Sequence, residues 1–77
     1  MIELLVKFEI YKEESFWCAR GIGVDIFTQG NTLDELMENI SEAVELHFED
    51  ALMSGEDIKI LSISELEVRS FAQIANS

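Results

Sequence analysis

Phe27-Thr28-Gln29-Gly30-Asn31-Thr32-Leu33-Asp34-Glu35 carries the chain from a short strand into its one long helix, and the fold follows from that change of period. Ile26, Phe27 and Thr28 favour extended backbone, so 25–29 reads as a strand. Gly30 serves the turn. Thr32 is a good N-cap, and Glu35 stands three positions later, the spacing of a capping box. Asp34 and Glu35 also sit at the positive end of the helix dipole. Over 33–52, Leu33, Leu36, Met37, Ile40, Ala43, Val44, His47 and Ala51 recur on one helical stripe. Ser54-Gly55 provides the expected stop.

Upstream, Ile2, Leu4, Val6, Phe8 and Ile10 alternate with Glu3, Leu5, Lys7, Glu9 and Tyr11, the period of a half-buried strand. Lys12-Glu13-Glu14-Ser15 is a hairpin loop, and 16–20 is an aromatic-rich second strand that breaks at Gly21-Ile22-Gly23. Downstream, 58–63 is a fourth strand. The reading of 64–77 stays open: Ser64 and Glu67 fit a capping box, while Leu66 and Val68 fit an edge strand. The expected organisation is one α+β domain over 1–63 with a tail over 64–77 that is too short for a DNA-binding domain. Its order is β-β-β-α-β: an antiparallel three-stranded meander, one helix packed on the sheet, and a fourth strand. A single helix covers one sheet face only.

The 77 residues bound what such a domain can do alone. A chain this size buries roughly 60% of its unfolded surface, and its core supplies roughly 3–5 kcal/mol. One cysteine, Cys18, precludes an internal disulfide. Cys18 and one histidine cannot furnish a zinc site, and no cofactor is expected. Self-association is the remaining source of burial, so a homo-oligomer, dimer or tetramer, is expected. The open sheet face would mediate it, with Leu5 and Trp17 as the interface candidates. The chain lacks an apolar run of about 20 residues and a signal-peptide pattern. No membrane association and a cytoplasmic location are expected, and the free thiol fits a reducing compartment.

The net charge of −11 is the strongest compositional signal. Between Gly21 and Ile58 there are ten acidic residues and no Lys or Arg. Such a surface repels a phosphate backbone, which argues against direct nucleic-acid binding.

The segment 27–35 resembles the strand-turn-helix of HicB-like antitoxins. The likeness continues through Asn39-Ile40, Glu42-Ala43 and Glu45-Leu46, and Phe16-Trp17-Cys18-Ala19 is similar to the family's second strand. It runs in order over 2–63. The resemblance implies a partial ribonuclease-H-like fold and a partner: a small basic toxin ribonuclease that degrades messenger RNA and whose active site the antitoxin covers. Arg20-Gly21-Ile22-Gly23-Val24 stands where the family carries a proline-rich segment, and this chain has no proline. Operator binding, which belongs to a further module in many members, is not carried over.

Glu35, Glu38, Glu42, Glu45 and Glu49 are spaced three, four, three and four apart and share one helix face. They repel by roughly 0.2–0.5 kcal/mol per pair. A solvated outer face explains them, and so does a docking stripe for a basic partner. The stripe reading selects Glu38, Glu42, Glu45 and Glu49, with Leu46 beside them. Two-metal nuclease chemistry needs converging carboxylates, whereas Glu3 and Glu9 lie roughly 20 Å apart along one strand, with Asp25 the nearest addition. His47 reads as a histidine at the core's edge and Cys18 as a small buried hydrophobe. No catalytic residue is assigned. The expected function is a non-catalytic protein-binding module that neutralises a basic toxin. The alternative is an orphan oligomeric scaffold with another partner.

Overall fold

A computed structural model describes residues 3–65 together with Val68 and Ser70. Strand β1 spans Glu3–Lys12, β2 Trp17–Ile22 and β3 Phe27–Gly30. Helix α1 spans Leu33–His47, a short α2 covers Glu49–Met53, and β4 runs over Asp57–Ser64. The sheet order is β3-β2-β1-β4. The β1–β2 and β2–β3 pairs are antiparallel, as a meander requires, and β4 lies parallel to β1 after the helical crossover. The domain is α+β, in the expected order.

Alternation decides which side chains meet the helix. Val6, Phe8 and Ile10 of β1 are buried beneath it with Ala19, and Leu36, Ile40 and Val44 come down from α1. Ile26 completes the buried cluster, and Trp17, Val24, Ala43, Phe48 and Ile58 pack around it. Phe8, Leu36 and Ile40 are essentially fully buried, each worth roughly 1.5–3 kcal/mol of transfer free energy.

The entry to α1 follows the capping logic of its sequence. The Glu35 amide donates to Thr32 Oγ1 at 3.1 Å, and the Asn31 amide donates to Glu35 Oε1 at 3.1 Å. The reciprocal bond thus reaches the residue before the cap. Asn39 Nδ2 donates to the Gln29 carbonyl at 2.7 Å, stitching the helix to β3. Gly30 allows this approach: a Cβ there would stand 2.7 Å from the Leu36 nitrogen and 3.0 Å from its Cα.

Several boundaries differ from the sequence reading. The helix over 33–52 breaks at Phe48, where φ −113° and ψ 30° depart from helical values. The half-buried Phe48 packs on the core, and the chain restarts as α2 in a new direction, towards β4. The buried line on α1 and its continuation is Leu36, Ile40, Val44 and Phe48, four apart. His47, expected at the core's edge, falls beside that line and is exposed. Strand β2 continues through Ile22, because Gly21 and Ile22 still pair with Phe8 and Lys7. Strand β3 begins at Phe27, after Asp25 and Ile26. Gly55 has φ +89°, the left-handed turn that returns the chain from α2 into β4. Strand β4 includes Ser64, while Leu66 and Glu67, on which the tail's two readings rested, lie outside the described residues.

Leu5 and Trp17 do not share a sheet face. Lys12 pairs with Trp17, so Trp17 joins the even-numbered β1 residues on the helix side, half-buried against the core. The Lys12 ammonium lies 5.4 Å from its ring centroid, a cation–π contact. Leu5, odd-numbered, is on the open face and 56% exposed. The hairpin register decides this, and a shift of one residue would have reversed it.

Candidate functional site

Helix α1 packs towards the β2–β3 side of the sheet, while α2 reaches β4. The helix-side surface of β4 is therefore only partly covered. A groove of about 840 Å³ opens there, lined by Ser41, Glu42, Val44, Glu45, Leu46 and Glu49, by Leu52 and Met53, and by Ile58 and Ile60. Two segments build it. Glu42 and Glu45, three residues apart on α1, lie along one edge, and Glu49 extends it at the start of α2. Ile58 and Ile60 alternate with Lys59, so strand pleating turns the two isoleucines into the groove and the lysine to the opposite face.

The groove grades from dry to wet. Val44 is buried and Ile58 packs on the core. Ile60 is 37% exposed, whereas Leu46 and Met53 stand out at 76% and 79%. Leu46 also borders a shallower depression of about 380 Å³ formed with Asp25, Ile26, Phe27, Ala43 and His47. It is thus a ridge between two hollows. Large apolar side chains gathered at this exposure are the mark of an interaction surface.

The lining contains three carboxylates and no Lys or Arg. Strand alternation explains the separation. Lys7 of β1, Arg20 of β2 and Lys59 of β4 are all on the open sheet face, where Arg20 pairs with Glu9, and Lys59 Nζ lies 3.5 Å from Glu3 Oε2. Among the described residues no Lys or Arg lines the groove to neutralise the glutamates from within; Lys12, on the same side of the sheet, is engaged over Trp17.

No family model matches the chain, and no solved structure matches it. A 45-residue stretch is 42% identical to a UPF0150 protein of Archaeoglobus fulgidus, covering 58% of this chain and 68% of that relative. The chain belongs to the UPF0150 family.

Of the five residues that the sequence nominated for partner binding, this UPF0150 domain gathers four, Glu42, Glu45, Leu46 and Glu49, around one groove. Glu38 is exposed on the same helix, one turn outside it. Sequence reasoning missed the opposite wall. The alternation of Ile58 and Ile60 was visible, but only the parallel pairing of β4 with β1 sets those side chains across from Leu46. Glu3 and Glu9 each face a cation, and among the described residues no group of three His, Cys, Asp or Glu side chains is placed to hold a metal. Among the described residues no helix is long and apolar enough to cross a membrane. Cys18 is buried on the open face of the sheet, beneath Tyr11 and beside Gln29. Desolvation of the Tyr11 hydroxyl itself, followed by the neighbouring Cys18 sulfur, raises it above its usual pKa near 10, against an opposing pull from Arg20.

Proposed function

We propose that this UPF0150 domain is a non-catalytic, antitoxin-like module that binds a small basic ribonuclease toxin and covers its RNA-binding surface. The acidic-rimmed apolar groove carries the reading. Glu42, Glu45 and Glu49 present the negative charge that a phosphate-binding surface attracts, while Leu46 and Met53 offer apolar anchors that a phosphate backbone lacks. The likeness of 27–35 to HicB-like antitoxins supports it, as does membership of a family related to them. Occlusion needs no chemistry from this chain. It needs affinity, supplied by buried apolar contact, and rapid capture, supplied by charge complementarity.

The test is to mix the purified domain with a small basic messenger-RNA-degrading toxin, sought first in the adjacent reading frame, following RNA cleavage and affinity together. Cleavage should stop at stoichiometric addition, and affinity should fall as salt rises. Undiminished cleavage in the presence of the domain sinks the proposal and leaves the scaffold reading.

A further inference from the structure

The sheet face away from the helices has a charge character unlike the rest of the molecule. Register and alternation place Glu3, Glu9 and Asp57 on it, together with Lys7, Arg20 and Lys59. Three carboxylates meet three cations, so this face is neutral in a chain of net charge −11, and the whole net charge resides elsewhere. Between the charges stand Leu5, Ile22, Phe27, Leu61 and Ile63, each between 44% and 57% exposed. Two rows cross the sheet: Phe27–Arg20–Glu9–Ile63, and Ile22–Lys7–Leu61.

We infer that this face is the contact between two copies of the chain, packed sheet on sheet about a two-fold axis. Two molecules of charge −11 repel overall, and this neutral face, with the excess charge held away from the contact and screened by salt, is the one on which they approach at least penalty. A two-fold contact sets the same patch against itself, residue i on j and j on i. Such a patch must be self-complementary, and an equal mixture of both signs is. Lys7, at the centre of the face between Ile22 and Leu61, has no carboxylate within ion-pair distance among the described residues; neither has Asp57 a cation. The second copy supplies the opposite charge to each. Area agrees. Strands of 10, 6, 4 and 8 residues, about 4.8 Å apart, present roughly 450 Å², and two such faces bury roughly 900 Å², at the small end of specific interfaces. The contact leaves the acidic grooves on the outer sides of the pair, free for another partner.

Sedimentation of the full chain tests the inference. The wild type should run at twice its 8.8 kDa mass. Leu61→Glu and Phe27→Glu, made separately, should each raise the dimer dissociation constant at least a hundredfold and give the single-chain mass, with unchanged circular dichroism. Leu46→Glu, in the groove, should remain dimeric. Both open-face side chains are largely exposed, and if one variant melts early the other still reads the contact. A wild-type monomer at the highest attainable concentration overturns the inference, including one whose residues 66–77 cover the face. So does a dimer that survives both substitutions and is lost in Ile60→Glu, which would place the contact at the β4 edge. The monomer result does not bear on ribonuclease binding by the groove, which is read separately; the Ile60→Glu result does, because Ile60 lines that groove.

Discussion

Gly30 and Leu36 approach so closely that a methyl group on Gly30 would lie 2.7 Å from the Leu36 backbone nitrogen. The obstacle is backbone, which cannot swing aside as a side chain can. Gly30→Ala must push α1 away from β3 and disturb the Asn39–Gln29 bond. Overpacking of this kind costs about 1–3 kcal/mol. Thermal denaturation should show a clear fall in Tm, and an unchanged Tm would mean that the helix is not seated as described.

Thr32 and Glu35 hold the first turn of α1 from both sides. Thr32→Ala removes the acceptor for the Glu35 amide, and loss of such a cap costs about 0.5–2 kcal/mol. Urea denaturation should show a lower midpoint with the same slope. Thr32→Ser keeps an acceptor oxygen and should recover most of the loss.

Leu46 separates stability from binding. At 76% exposure it contributes little to the core, so Leu46→Ala should change stability by no more than about 0.5 kcal/mol. Its loss from the docking ridge should weaken capture of a basic toxin at least tenfold, about 1.4 kcal/mol, measured by calorimetry. A variant that binds as the wild type does would remove Leu46 from the interface.

The acidic edge should behave differently. Replacing Glu42, Glu45 and Glu49 together with Gln relieves like-charge repulsion at three- and four-residue spacing, so stability should hold or rise. Association with a basic partner should slow, and its salt dependence should flatten. Stopped-flow mixing at two ionic strengths reads both effects.

Tyr11 is the only tyrosine, so its ionisation can be followed by ultraviolet absorbance without interference from another phenol. Burial, then Cys18, raises its pKa above the usual value near 10. The folded chain therefore keeps a proton that the unfolded chain releases. Stability conferred by the neutral phenol is complete below about pH 10 and is lost as pH rises through the unfolded and then the folded value. The absorbance step should come later than that of free tyrosine, and Tyr11→Phe should flatten the alkaline loss of stability.

Local signals were the most legible in the sequence. The change from period two to period 3.6 around Gly30, and the cap at Thr32, placed the strand-to-helix transition where it occurs. Long-range geometry was less so. Leu5 and Trp17 were expected on one face because each is apolar and strand-borne, yet the register of the β1–β2 hairpin puts them on opposite sides. His47 had the right spacing for the stripe but lies beside the line that Val44 and Phe48 define. Half of the groove was readable because Glu42, Glu45 and Leu46 lie on one helix. The half made by Ile58 and Ile60 depends on where β4 joins the sheet, and no local pattern states that.

Strand β4 reaches the sheet only through β1, its most distant neighbour in sequence. During synthesis the hairpin, β3 and α1 can assemble while residues 57–64 are still inside the ribosome. Until those residues emerge, the groove has a helical wall and nothing opposite. A partner that grips Leu46 and Ile60 together therefore ignores the nascent chain and engages only the finished molecule.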